Sequence, residues 1–351
     1  VDFAALIFNP VAQVKFVHTV AAGYVTGSIF VLAISSWYLL KKRDMGFARR
    51  SFAIAAAFGM ASILSVIILG DESGYELGDV QKTKLAAIEA EWQTEPAPAA
   101  FTLFGWPNME TQTTDYAVKI PYAMGIIATR SLDTKVAGIQ ELTEQHEVRI
   151  RNGMIAYERL QTLRQGDRSA ENIALFDEVK DDLGYGLLLK RYTENVTDAT
   201  EEQIKQAAAD TIPNVPSLFW AFRIMVGSGF LMLVLFALAF WASTKHTQEH
   251  KPWLLRFALY SLPLPWLAVQ TGWYVAEMGR QPWTIGEVLP TFLSASSLSV
   301  ADVLGSIITI AAIYTVLIII EMYLMIRFAR KGPSCLHTGR YHFEQNTTKN
   351  V

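Results

Sequence analysis

The chain reads as an all-α protein: a polytopic membrane helix bundle of five spans with one large, mostly helical loop outside the lipid. Three observations predict this. Five runs reach the roughly 20 largely apolar residues that a membrane helix needs. The composition, 51% hydrophobic with mean hydropathy +0.23, is too apolar for an ordinary soluble enzyme and too polar for a chain held wholly in lipid. Basic residues collect in every second connection.

The first span covers 14–40 and carries His18 near its start, in "VKFVHTVAAGY". Lys15 just before it has a stem long enough to carry its charge to the interface. The connection "KKRDMGFARR" (41–50) holds five basic residues and one acid. The second span, 51–70, closes at Asp71 in "LGDESGYELGD". Residues 71–216 form the insert, with helix-like stretches in "KTKLAAIEAEW" and "QELTEQHEVRIRNGMIAYERLQTLRQ". Between them "TEPAPAA" and "FGWPNME" read as turns punctuated by proline. "TENVTDATEEQIKQAAAD" reads as a loop entering a capped amphipathic helix.

The third span, 218–243, begins with Arg223 and Met225 in "WAFRIMVGSGF" and leads into the basic "STKHTQEHKPWLLR". The fourth, 253–278, ends at Glu277, with Arg280 and the helix-stopping Pro282 beyond it. The fifth, 303–328, contains Glu321 and leads into the basic tail 329–351. If the spans alternate, all three basic segments share one side, the cytoplasm by the positive-inside rule. The N-terminus, the insert and the loop after 278 then lie outside.

Net charge is only −3, which gives no electrostatic reason for a nucleic-acid partner. A single cysteine, Cys335, excludes an internal disulfide framework and any multi-cysteine metal or iron–sulfur site. In the tail it is expected to be a reduced thiol. The sequence starts at Val1 with neither an initiator Met nor a signal peptide, so a fragment of a longer protein is expected.

An ionisable residue inside a span is costly and is read first as functional. His18 is either a histidine hydrogen-bonded to a neighbouring helix or a metal ligand. Met225 alone would be packing, but it and His18 both fall within about two turns of the external face. One His and one Met on a macrocycle make a low-spin haem of raised potential. Arg223 then either snorkels to water or answers a propionate. Glu277 and Arg280 are either an interfacial pair that ends a helix or part of a site. With Asp71 these groups converge on one membrane face, which supports a cofactor or ion site without saying which.

Longer strings narrow the choice. "GRQPW" (279–283), "NPVAQVKFVHTVAAGYVTG", "LGDESGYELGDVQKTKLAAIEAEW" and "AFRIMV" together resemble subunit I of the cytochrome bd quinol oxidases, in the form with a long quinol loop. The resemblance covers essentially the whole chain, down to "GRYHFEQ". It implies a bacterial inner-membrane enzyme that oxidises quinol on the periplasmic side and reduces O2 to water. The implied cofactors are a low-spin haem b, a high-spin haem b and a haem d. The implied partners are subunit II and a small single-helix subunit. By matched motifs His18 and Met225 would ligate the low-spin haem b, with Arg223 nearby. Glu277 would serve the iron of the high-spin haem b, and Arg280 its propionates or the quinol end of the electron path. Lys84 and Glu89 match positions of quinol oxidation, with Asp71 and Tyr75 beside them, and 71–216 becomes the quinol-binding loop. The family has nine membrane helices, so four are expected to be missing, with the haem d ligand among them. The chain alone is then not expected to reduce O2.

On an ideal helix Lys84 and Glu89 differ by about 140° in direction, so either the helix starts after Lys84 or the two act on different sides. Two other classes compete with the oxidase. A transporter would place its polar groups near the bilayer centre within inverted repeats, and no repeat is visible. A sensor or assembly protein would leave the His and Met without a role.

Overall fold

The structure is a computed structural model that describes residues 2–131 and 133–332. The basic tail beyond 332 and Cys335, both singled out above, lie outside the described residues.

In chain order the helices are α1 (Phe3–Ile7), α2 (Pro10–Leu40), α3 (Met45–Val80) and α4 (Lys82–Glu89). A hairpin of β1 (Phe101–Asn108) and β2 (Thr113–Ile120) follows. Next come α5 (Ile139–Arg164), α6 (Ala170–Val179), α7 (Leu183–Leu187), α8 (Glu201–Ala209) and α9 (Val215–Thr244). The chain continues through α10 (Pro252–Tyr260), α11 (Leu264–Met278), the short strands β3 (Trp283–Ile285) and β4 (Leu289–Pro290), and α12 (Val300–Lys331). The all-α membrane class holds. Among the described residues, four helices are long and apolar enough to cross a bilayer: Pro10–Leu40, Met45–Gly78, Val215–Thr244 and Val300–Lys331.

The structure departs from the sequence reading in three places. The run 253–278, read as one span, is two helices, α10 and α11, because Pro263 and Pro265 interrupt it. Pro263 has no N–H to give, and its ring clashes with the carbonyl four residues back, whereas Pro265 falls in the first turn of α11, where no N–H is needed. The second span does not close at Asp71: α3 continues to Val80, since "DESGYELGD" contains no proline to stop it. "FGWPNME" is not a turn, because Phe104–Asn108 belong to β1, paired antiparallel with β2 from Phe101↔Ile120 to Asn108↔Thr113. The register slips between Thr102 and Trp106. The Phe104 and Trp106 rings each meet the Trp220 ring at 5.1 Å between centroids, edge-on and tilted, so aromatic contact outweighs Gly105 and Pro107.

The chain folds as two compact units. The first comprises 1–17, 68–227 and 267–295, and has two apolar cores. One gathers Leu85 and Ile88 of α4, Ile139 and Leu142 of α5, Leu218 and Phe219 of α9, and Val275 of α11. The other gathers Ile150, Tyr185, Leu189, Ile204 and Trp283.

That second core is closed by a charged latch. Arg149 donates to Asp182 at 2.6 Å and to Glu287 at 2.8 Å, with its guanidinium 4.1 Å from the centre of the Tyr185 ring. The Tyr185 hydroxyl also donates to Glu287, at 3.2 Å. Asn152 adds a bond to Asp182 at 3.0 Å, and His146 shares one with Thr211 at 2.7 Å. Glycine is required here: a Cβ on Gly184 would stand 1.9 Å from the Glu287 carbonyl oxygen. The latch therefore holds the turn between β3 and β4 against α5 and α7.

The second unit comprises 18–67, 228–266 and residues from 296 on. Its packed helices meet closely: the Phe236 ring occupies the space a side chain at Gly59 would need. Arg49 forms a two-pronged ion pair with Glu249, joining the first turns of α3 to the connection after α9. The Tyr38 hydroxyl donates to the Ala329 carbonyl, so the end of α12 joins the same end of this unit. None of the side chains of α12 is buried within the chain.

Candidate functional site

Helix α4 has eight residues, and six of them, Lys84 to Glu89, are buried. Burial on every side fits a short helix wedged among α5, α9 and α11. It ends at Ala90 in the left-handed conformation (φ 54°, ψ 42°), whose N–H returns to Ala86 and Ala87. Lys84 and Glu89 both lie inside α4, so the helix does not start after Lys84, and the two residues meet different neighbours.

Lys84 is 6% exposed, and its stem crosses Gly279, the glycine of "GRQPW". A Cβ at 279 would sit 2.6 Å from the Val275 carbonyl oxygen as well as 2.5 Å from Lys84 Cε, and the backbone contact explains a glycine at that point. The groups acting on the ammonium are Lys15, Glu277 and Arg280. Burial, reinforced by the positive charges of Lys15 and Arg280 against the attraction of Glu277, brings Lys84 down to about 8. Glu277 is itself bridged by Arg280 at 2.5 Å, and Arg280 also donates to the Thr284 carbonyl at 3.2 Å.

Glu89 turns the other way, to Arg223 of α9, at 3.0 Å. Arg223 commits every nitrogen of its guanidinium inside the protein. Nη1 donates to the carbonyls of Ile88 (2.7 Å) and Phe219 (3.0 Å), and Nε donates to that of Thr102 (3.1 Å). Nη2 serves Glu89 and Thr102, and the group stacks 3.3 Å from the Phe219 ring centre. Arg223 thus ties α4 and β1 to α9. Burial pushes the Glu89 carboxyl up to about 7, although Arg223 pulls it down.

Glu91, two residues on, is equally buried at 5% exposure, and sequence reasoning passed over it. Burial, the charge of Glu95 and that of Glu89 raise it to about 8, with Lys119 opposing. Its one signal in the sequence was a second acid in "IEAEW", which an ideal helix would have turned away from Glu89.

Asp71 and Tyr75 lie on α3 and meet a residue the sequence reading did not select, Arg130. Its guanidinium lies 3.7 Å from Asp71 and 4.3 Å from the centre of the Tyr75 ring, and pairs with Glu72. Asp71 and Arg130 are exposed, and Glu72 and Tyr75 are half-buried.

His18, in the second unit, is half-buried, and its Nδ1 has no hydrogen-bond partner. Met225, in the first unit, lies with its sulfur 2.9 Å from the point a Cβ on Gly272 would occupy. Each is a neutral ligand of the kind that holds haem iron.

Residues 1–333 match the family described as cytochrome bd terminal oxidase subunit I. The chain is 45% identical to cytochrome bd-II ubiquinol oxidase subunit 1 of Escherichia coli (strain K12), over 96% of this chain and 66% of that protein. It is 29% identical to cytochrome bd ubiquinol oxidase subunit 1 of Bacillus subtilis (strain 168), over 94% of this chain and 59% of the other. Among solved structures, the bd oxidase from Geobacillus thermodenitrificans superposes with a TM-score of 0.65 at 25% identity, covering 94% of this chain and 60% of that one. The chain spans about three fifths to two thirds of the length of these relatives.

Proposed function

The chain belongs to the cytochrome bd terminal oxidase subunit I family, and on that premise we propose that the α4 site oxidises a membrane quinol. Its whole protein would be a quinol:O2 oxidoreductase assembled with a subunit II and a small single-helix subunit. The observation that carries this reading is a buried lysine and a buried glutamate on different flanks of one short helix, each brought close to neutrality by burial. Groups titrating near the working pH are those suited to move protons.

Quinol oxidation releases two protons and two electrons. Glu89, kept partly ionised by Arg223, takes a proton from a quinol hydroxyl. Lys84, held over Gly279, donates a hydrogen bond to a quinol oxygen and orients the ring. The residues present fit haem on two observations: the unpartnered Nδ1 of His18, and the Met225 thioether placed over Gly272. His18 and Met225 would hold the low-spin haem b. Glu277 would serve the high-spin haem b, with Arg280 at its propionates, and haem d would be held in the part of the protein beyond this chain. Bound haems of these kinds supply one-electron acceptors and an O2-binding iron. Asp71 and Tyr75, gathered by Arg130, would border the quinol entrance.

Loop 71–216 would lie on the periplasmic side of the bacterial inner membrane. The Arg49–Glu249 pair joins the first two basic segments, and Tyr38 meets Ala329 at the end of α12, which supports a common cytoplasmic side for these helix ends.

The test uses membranes carrying the whole oxidase. Glu89→Gln is expected to lower quinol-driven O2 uptake by about a hundredfold. His18→Ala and Met225→Leu are expected to remove the low-spin haem b signal from the reduced-minus-oxidised spectrum. Parental uptake in Glu89→Gln would remove the quinol site from α4, and a parental spectrum in either ligand variant would remove that ligand.

A further inference from the structure

We propose that Glu91 is the proton-release carboxyl of the α4 site: it takes over the proton that Glu89 removes from quinol and passes it toward the Glu95–Lys119 pair. The proposal rests on the reading of α4 as a quinol site and names the next group along the proton's route.

Geometry points to this residue. Glu89 is closed on one side by Arg223, whose nitrogens are all engaged by Glu89 itself and by the carbonyls of Ile88, Thr102 and Phe219. A guanidinium accepts no proton there, so the proton must leave by another group. The left-handed Ala90 bends the chain so that Glu91 returns to the buried side instead of continuing the helix outward. Its backbone is pinned at both ends: its N–H donates to the Ala86 carbonyl at 2.9 Å, and its carbonyl accepts from Ile139 N–H at 2.8 Å. Side-chain exposure then rises outward. The Glu89 side chain is 4% exposed and residue Glu91 5%, followed by side-chain values of 26% at Glu95 and 42% at Lys119. Lys119 and Glu95 form an ion pair at the edge of the hairpin, where water has access. The charged groups that act on Glu91 are Glu95, Lys119 and Glu89, and the cation that acts on Glu89 is Arg223.

The electrostatics set the resting state. Two buried carboxylates that repel each other favour one proton and one charge between them near neutral pH. Arg223 draws the charge to Glu89, and Glu91, on which the acting cation, Lys119, is already paired with Glu95, keeps the proton. One carboxyl is thus ready to accept from quinol while the other is ready to give outward. In one turn of the relay a quinol O–H bond breaks and its proton goes to a Glu89 oxygen. Glu91 gives its own proton to water beside Glu95, and Glu89 refills it. One proton leaves quinol, one reaches water, and the electron passes to the haem acceptors of the proposed function.

The experiment measures steady-state quinol oxidation against pH in membranes carrying the whole oxidase, for Glu91→Gln, Glu91→Asp and Glu89→Gln. Glu91→Gln is expected to lower kcat by about tenfold with quinol KM within about twofold, and to flatten the pH profile. Glu91→Asp keeps a carboxyl and is expected to recover most of the rate with a shifted profile. Parental kcat and pH profile in Glu91→Gln would overturn the relay. Equal losses in Gln and Asp with an unchanged profile would also overturn it, because they assign Glu91 to packing. If Glu91→Gln fails to assemble, as its haem spectrum would reveal, Glu91→Asp decides: a parental profile there overturns the proposal and a shifted one supports it. Loss of rate in Glu89→Gln with none in Glu91→Gln removes only the relay, whereas parental rate in Glu89→Gln removes the quinol site with it.

Discussion

The α4 pocket and the latch around Arg149 both bury charge in the same unit, yet they treat protons in opposite ways. In the latch each charge is answered more than once: Arg149 has Asp182, Glu287 and the face of Tyr185, and Glu287 also accepts from Tyr185. Its titrations are driven away from neutrality. Burial and Glu287 raise the Tyr185 hydroxyl. Asp182 and Glu287 raise Arg149 against its own burial. Burial, with Arg149 beside it, lowers His146 to about 4. In the α4 pocket one arginine serves Glu89, Glu91 has a cation already shared with Glu95, and Lys84 faces two like charges. Those three groups titrate between about 7 and 8. Charge answered several times over stabilises a shape, and charge answered incompletely remains available for chemistry.

Three perturbations sharpen or break this contrast. The largest effect is expected from Arg223→Met. Removing one partner of a buried pair leaves Glu89 uncompensated and costs about 3–5 kcal/mol. Thermal unfolding of the purified oxidase should record a clear fall in Tm, most of it regained in the Arg223→Met/Glu89→Gln double variant. An additive double variant would mean that the two residues are not coupled.

Gly184→Ala comes next. The new Cβ meets the Glu287 carbonyl at 1.9 Å, so α7 and the β3–β4 turn must separate, at a cost of about 1–3 kcal/mol. Limited proteolysis should cut faster at residues 285–289 while the pH profile of quinol oxidation keeps its shape. A changed profile would show that the latch is not proton-inert.

The smallest effect is also the most discriminating, because its sign differs between the two regions. Glu89 and Glu91 have folded values above the ordinary 4.5, so their contribution to stability is full below about 4.5 and is lost as pH rises through about 7 to 8. His146 has a folded value below 6.5, so its contribution is full above 6.5 and is lost as pH falls through about 4. Lys84 adds stability only above about 8. Hydrogen exchange, corrected for intrinsic pH dependence, should therefore show α4 loosening from pH 5 to 7.5 and α5 loosening from pH 6.5 to 4. Both helices loosening in the same direction would erase the distinction.

Much of the fold was legible, because a bilayer demands long apolar helices and such runs are visible locally. The break at Pro263 and Pro265 was visible too, but a continuous apolar run outweighed it in the reading. The hairpin was missed because Gly105 and Pro107 resemble turn residues, while the aromatic side chains that hold β1 against Trp220 meet their partner far along the chain. In the site, Lys84, Glu89 and Arg223 were selected as residues, but the pairing of Glu89 with Arg223 joins positions 134 apart in sequence. Glu91 was hidden by helical periodicity, which fails at the left-handed Ala90.

Sequence alone determined the membrane class, the large polar insert and the family, since each rests on composition or on strings of adjacent residues. Tertiary structure alone decided which buried charges are held in one protonation state and which remain labile. That property depends on desolvation and on partners brought together from distant segments, and neither is written in any one stretch of the chain.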